Sequence, residues 1–319
     1  MPCLERILSA LALTALLALA GCGSAGSERI PLATTLATQR FVAYVPRSFS
    51  VRDGQPRAAT ADGIAADLRR LRPHFSGLIT YGLGDGQAQI VPLAVSAGFE
   101  AVVIGVWEPR DRAELDQAIA LAERYPRQVT ALILGNEGLF WKRYTAADLD
   151  AAVAYVRDRL PGVPLTSSEP FAHYFDSPDA PVLLELDLLM PNIHPLFEPW
   201  FDPAKVDQSV AFVAEVVARL HGLTPKPVLV KETGLPSAPT ERGFNEARQA
   251  AFWRGLEHAL PAGPAQNLAY FEAFDAPWKP QELAAQFGRI EPAEGHWGLF
   301  RQDGSPKKVV EGLPQLQRD

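Results

Sequence analysis

The sequence predicts an α/β fold, a single (β/α)8 TIM barrel, and three observations carry that prediction. Strand-like and helix-like segments alternate about eight times at spacings of about thirty residues, as parallel strands joined by right-handed crossovers do. No change of composition interrupts the alternation, so the 319 residues hold one main domain. Two buried apolar strands end abruptly in a glutamate, and in a parallel sheet or barrel that end of a strand is where ligands bind. A doubly wound open sheet is the runner-up, disfavoured because no glycine-rich fingerprint follows the first strand.

Residues 1–21 are read as a lipoprotein signal peptide and set apart from the fold. Arg6 precedes an apolar run, Ile7 to Leu19, that is too short to span a bilayer comfortably. The run closes on Leu19-Ala20-Gly21-Cys22, which resembles the processing site of bacterial lipoproteins, where the cysteine is lipidated and becomes the mature N-terminus. Cys3 is the only other cysteine, so the folded part has neither a disulfide nor a thiol nucleophile. Residues 22–40 are small and polar and are expected to be a tether, leaving 41–319 as the catalytic domain.

Along the chain, Arg40–Val45 reads as the first strand, followed by a loop carrying Pro46, Asp53, Gly54 and Pro56. A helix from about Asp62 spaces Ile64, Leu68 and Leu71 along one face, and Gly77–Gly82 is the second strand. Gln87–Ala97 is a helix stopped by Gly98, and Glu100–Trp107 is the third strand. Asp111 with Glu114 three residues on reads as the N-terminus of a helix with Leu115, Ala118, Ile119 and Ala122 inward. The fourth strand, Val129–Glu137, precedes a helix capped by Thr145 with Leu149, Val153, Val156 and Leu160 on its core face. Pro164–Glu169 and Leu186–His194 are the fifth and sixth strands. Asp202-Pro203 opens a helix carrying Val206, Val210, Val213, Val217 and Leu220 before Gly222. Pro227–Glu232 is the seventh strand, Phe244–Leu260 a helix, Asn267–Phe274 the eighth strand, and Asp303–Pro306 a final turn.

A net charge of −7, a pI near 5.5 and the lack of any basic run argue against a nucleic-acid partner. The chemistry is expected where the fourth and seventh strands face each other across a barrel mouth. Two carboxyl groups about 5–5.5 Å apart hydrolyse a glycoside with retention, one as nucleophile and one as acid then base. Glu137 is the expected proton donor and Glu232 the expected nucleophile. A single strand-end glutamate is as readily a solvated residue or a helix cap; the pair is less easily dismissed, because Asn136 precedes Glu137 and an amide there can bond the sugar hydroxyl beside the reacting carbon.

Several segments together resemble glycoside hydrolase family 17, the β-1,3-glucanases and related glucanosyltransferases. Gly135-Asn136-Glu137 and Lys231-Glu232-Thr233-Gly234-Leu235-Pro236-Ser237 are similar to that family's acid/base and nucleophile motifs. Asn192-Ile193-His194-Pro195 resembles its sixth-strand motif, and Phe271–Lys279 with Glu294–Phe300 its eighth-strand signature. The resemblance covers roughly Phe41 to Val310. It departs at Leu235, where plant members usually carry tryptophan, and at Lys231, where a small residue is usual; both point to bacterial and fungal-like branches. It implies a substrate-contacting role for Tyr81 at the end of the second strand.

Trp107, Trp141, Trp200, Trp278 and Trp297 fall at or after strand ends, where sugar rings can stack on them or where they serve loop packing, while Trp253 reads as helix core. Glu272 is a candidate sugar-binding carboxylate or a buried strand residue, and Lys279 a candidate partner for a sugar hydroxyl or a carboxylate. His194 has no second histidine or cysteine at ligand spacing and is expected to bond sugar or hold the pocket rather than bind metal. Ser167 and Ser168 lack the glycine pattern of a serine hydrolase. The expected protein is a monomeric, lipid-anchored enzyme of the cell envelope, needing no cofactor, that hydrolyses β-glucan, with β-1,3-linked glucan the expected substrate. A glucanosyltransferase and a non-catalytic carbohydrate-binding lipoprotein are the alternatives.

Overall fold

The computed structural model describes residues 28–284 and 288–316. The expected signal peptide, the expected lipidation residue Cys22 and the first part of the expected tether lie outside these. The chain enters through helix α1 (Leu32–Thr38) and strand β1 (Phe41–Ala43), then forms a hairpin of β2 (Ser50–Arg52) and β3 (Gln55–Arg57). There follow α2 (Ala61–Leu71), β4 (Gly77–Ile79), α3 (Ile90–Ser96), β5 (Ala101–Val106), α4 (Arg112–Arg124) and β6 (Val129–Asn136). The second half comprises α5 (Ala146–Arg159), β7 (Leu165–Ser168), α6 (Ala180–Glu185), α7 (Val206–Leu223), β8 (Val228–Val230), α8 (Glu246–Ala259) and β9 (Gln266–Tyr270). Two short helices, Lys279–Glu282 and Lys308–Glu311, lie beyond.

Seven strands form one curled parallel sheet in the order β7-β6-β5-β4-β1-β9-β8. The expected sixth strand makes isolated bridges instead of a ladder. Leu189 pairs with Val228, and Asn192 pairs with both Pro170 and Glu232, so this segment touches both edges of the sheet. Pro191 sits between the two bridging residues and has no amide to donate, which interrupts regular pairing.

Strand alternation divides the core in two. One set, including Val42, Leu78, Val102, Ile104, Leu132 and Val228, faces the helices. The other, including Phe41, Ile79, Val103, Ile133, Leu229 and Ala269, fills the inside of the curl. Leu36 of α1 joins this inner set fully buried, and Asn267 at the start of β9 donates to the Leu36 and Gln39 carbonyls at 2.7 and 2.9 Å. The tether expected over 22–40 therefore gives way, from Leu32 on, to a helix packed against the N-terminal ends of the strands.

Four of the described helices, α2, α4, α5 and α8, start at a side-chain cap. Thr60 accepts from Gly63, Thr145 and Asp148 form a reciprocal capping box, and Asn245 accepts from Arg248. Two expectations need correction. Asp111 caps α4, but Glu114 bonds the amides of Leu83, Trp107 and Glu108 rather than completing a box. The helix placed at Asp202-Pro203 starts only at Val206 and continues through Gly222, because Asp202 spends its side chain and carbonyl on a turn to Ala204 and Lys205. The hairpin β2–β3 was not anticipated; Asp53 and Gly54 at its tip both have positive φ.

Candidate active site

The site lies at the C-terminal ends of the strands, and a bulge in β6 aims its first two residues. Ile133 pairs with Thr166, but the next pair is Asn136 with Ser168, so three steps on β6 oppose two on β7. Strict alternation from the inward Ile133 would turn Asn136 outward; the extra residue reverses the parity. Gly135 makes this possible, with φ of 96° and a position where a Cβ would lie 1.8 Å from the Tyr144 hydroxyl oxygen. Glu137 follows with φ of 53°, a conformation that costs a non-glycine residue on the order of 1–3 kcal/mol and is held by its amide donating to the Ser168 carbonyl at 2.6 Å.

Opposite, Lys231 and Glu232 continue β8. Lys231, two residues beyond the inward Leu229, shares its face and is fully buried. The Ile193 amide donates to the Glu232 carbonyl at 2.7 Å, tying this end of β8 to the bridging segment.

A continuous chain of hydrogen bonds joins the two glutamates. Asn192 Nδ2 donates to Glu137 Oε1 at 2.8 Å and to Asn136 Oδ1 at 3.2 Å. Lys231 Nζ donates to the same Asn136 oxygen at 2.6 Å and to Glu232 Oε1 at 2.7 Å. His194 Nε2 stands 3.4 Å from Glu232 Oε2, and Ser168 Oγ donates to Asn192 Oδ1 at 2.9 Å. With its oxygen taken by two donors, the Asn136 amide is oriented so that its NH2 is free to donate elsewhere.

Electrostatics distinguish the groups. Burial pushes the Glu232 pKa up, but the Lys231 charge and the bonds from His194 and Lys231 outweigh it and hold the carboxyl well below its usual range. Burial lowers the Lys231 pKa, opposed by Glu232 and Glu137. The Tyr81 ring lies 4.0 Å from Lys231 Nζ. Burial, then the charges of Glu232 and Glu272, the proximity of the hydroxyl to the Glu232 carboxylate and the charge of Glu137, raise the Tyr81 pKa well above the phenol range.

Around this centre, Lys279 Nζ reaches both oxygens of the buried Glu272 at 2.7 Å. Burial raises the Glu272 and Glu294 pKa values, opposed in each case by Lys279. Glu294 accepts from Trp297 Nε1 at 3.2 Å and leaves its other oxygen buried without a partner. Trp297 and Phe271 pack on the His194 ring at centroid distances of 5.1 and 5.2 Å and belong to a buried apolar cluster beside it.

Of the residues selected from sequence, Glu137, Glu232, Asn136, Tyr81 and His194 converge directly, and Glu272 and Lys279 stand beside them as an ion pair. Trp278 packs edge-on against Phe49 near the hairpin, at 5.8 Å, rather than on either glutamate. Trp200 packs on Phe212 of α7, and Trp253 is core, as expected. Trp107 and Trp141 are exposed on the rim, and Trp141 Nε1 donates to Glu137 Oε2 at 3.2 Å. Asn192 and Lys231 were missed as site residues, while Trp141 was expected only as a surface for sugar stacking and not as a partner of Glu137. Asn192 lay within a quoted motif, two residues before His194 and so on its strand face.

Residues 42–298 match the model of the BtgE/BtgC glycoside hydrolase domain. The chain belongs to this glycoside hydrolase family. It is also similar to a glucan 1,3-β-glucosidase of Arthroderma benhamiae, 27% identical over 76% of this chain and 82% of the relative. A glucan 1,3-β-glucosidase of Candida albicans is 22% identical over 88% of this chain and 96% of the relative. Among solved structures, an endo-laminarinase from Formosa superimposes with a TM-score of 0.63 at 22% identity, over 86% of this chain and 88% of that one. A β-1,3-glucanosyltransferase of Rhizomucor miehei, of glycoside hydrolase family 17, gives a TM-score of 0.63 at 19% identity, over 84% and 95%. This glycoside hydrolase thus shares its curled parallel sheet and surrounding helices with those enzymes.

Proposed function

We propose that this glycoside hydrolase cleaves β-glucan, preferentially β-1,3-linked, with retention of configuration, in a barrel completed by the bridging segment 189–192. The observation that carries the reading is the hydrogen-bond chain from Glu137 through Asn192, Asn136 and Lys231 to Glu232, which gathers an acid/base candidate and a nucleophile candidate at one cleft. The names of the relatives, glucan 1,3-β-glucosidase, support the substrate class.

In this mechanism Glu137 protonates the glycosidic oxygen while a Glu232 oxygen attacks the anomeric carbon, and the bond to the leaving sugar breaks. Asn136 donates from its free NH2 to the neighbouring sugar hydroxyl. Water then attacks the same carbon, Glu137 takes its proton, and the bond to Glu232 breaks with the electron pair returning to the carboxylate. A sugar hydroxyl in place of water gives transglycosylation. Trp141, hydrogen-bonded to Glu137, and Phe140, packed on Trp141, are exposed and favour that second reading as a surface on which an acceptor sugar can stack.

Incubation with β-1,3-, β-1,4- and β-1,6-glucans tests the assignment. New reducing ends from the β-1,3 polymer are expected; longer products mark transfer, and binding without cleavage refutes the enzyme reading. Glu137→Gln is expected to lose about 10²–10⁴-fold in kcat on glucan and less on an aryl glycoside with a good leaving group. Glu232→Gln should abolish turnover of both. We further propose that Cys22 carries a lipid that anchors the enzyme in the cell envelope.

A further inference from the structure

Lys231 is a whole buried charge placed next to the residue that must change its charge during turnover. Its ammonium has three neighbours: Glu232 Oε1 at 2.7 Å, Asn136 Oδ1 at 2.6 Å and the Tyr81 ring at 4.0 Å. Only the first is an anion in contact. A buried ion pair whose one partner is removed leaves an uncompensated charge, which is strongly unfavourable.

We propose that Lys231 is a positioning residue that shortens the life of the glycosyl-enzyme, by pairing with Glu232 as a carboxylate and losing that pair when Glu232 is esterified. The inference rests on Glu232 being the nucleophile, as proposed above. When a Glu232 oxygen bonds the anomeric carbon, its negative charge is consumed and the ammonium keeps only neutral acceptors in contact, the ester and amide oxygens, and an aromatic face. When water attacks that carbon, the bond to Glu232 breaks, the electron pair returns to the carboxylate beside Lys231, and the water proton goes to Glu137. The free enzyme on either side has the direct ion pair, and the covalent state between has only the more distant Glu137 carboxylate as a counter-charge. The same ammonium fixes the Asn136 amide, so its loss also loosens the contact expected to hold the sugar.

The other charged or titratable groups facing the pair are Glu137 beyond β6, Tyr81 beyond β4, His194 from the bridging segment, and Glu272 and Lys279 beyond β9. Lys231→Met removes the charge while keeping most of the side-chain volume. With an aryl β-glucoside or laminarioligosaccharide, the variant is expected to release a stoichiometric burst of aryl alcohol and to carry one glycosyl unit by intact mass, while the parent does neither. The acid limb of its kcat/KM profile should move up by about 1–3 pH units, the size of effect an adjacent opposite charge has on a carboxyl. In Lys231→Ala, an alkylammonium ion should restore part of the rate and a neutral amide of the same size should not. If a folded variant shows no burst and an unmoved acid limb, Lys231 is only packing and the proposal fails. If the parent cleaves no glucan, the glycosidase reading fails instead. The pairing is then read by NMR of 13C-labelled glutamate, where an unchanged Glu232 titration in Lys231→Met overturns it. Should both substitutions prevent folding, the parent decides: an accumulating glycosyl-enzyme during turnover contradicts the proposal.

Discussion

Glu169 shows how one side chain ties the site to stability. It follows β7, is fully buried, and accepts from the amides of Leu139 and Phe140 at 3.0 and 3.1 Å, fixing the loop after Glu137. Burial, only partly opposed by those two bonds, pushes its pKa up to about 7. A raised carboxyl pKa means the folded protein holds a proton that the unfolded chain has already released, so this group's contribution to stability falls as pH rises from about 4.5 to 7. A shift of that size corresponds to roughly 3 kcal/mol. Glu169→Gln is expected to flatten the decline of Tm across that window, measured by thermal unfolding at a series of pH values. At this scale the glutamates were legible because each ends an apolar run, whereas Lys231 was hidden beside the more conspicuous Glu232. Asn136 was found for its chemistry, but its inward aim depends on a bulge that no alternating pattern encodes. Trp141 reaches Glu137 through a loop whose conformation includes Lys142 at φ of 55°, which spacing alone does not foretell.

Elements with strong periodicity and a side-chain cap fell close to where they were expected; those decided by local competition did not. Thr145 and Asn245 have free side chains to cap with, while Asp202 uses its carboxylate two residues on and postpones α7 to Val206. The sixth strand was legible as an apolar segment, but Pro191 reduces it to bridges. Helix α1 was read as tether because it is short and lacks a polar capping bond, and its stability comes from the surface it covers. Leu36→Ala is therefore expected to cost about 2–5 kcal/mol in urea denaturation. The kcat of the folded fraction should be unchanged, since Leu36 packs at the opposite ends of the strands from Glu137 and Glu232.

For the molecule as a whole, parallel topology could be read from the alternation of strand and helix, while completion of the curl by single bridges depends on pairings between segments far apart in sequence. The proposed anchor makes a prediction at this scale. The full chain expressed in a bacterium should sediment with membranes and take up labelled palmitate, and Cys22→Ser should release it into the soluble envelope fraction with its specific activity intact. Nine residues separate Cys22 from Leu32, a leash of at most roughly 35 Å. Because α1 seals the underside of the sheet, such a leash would be fastened beneath the bowl. Its open mouth would then look outward from the lipid surface, able to meet a long polymer strand side-on without that strand having to squeeze between enzyme and bilayer.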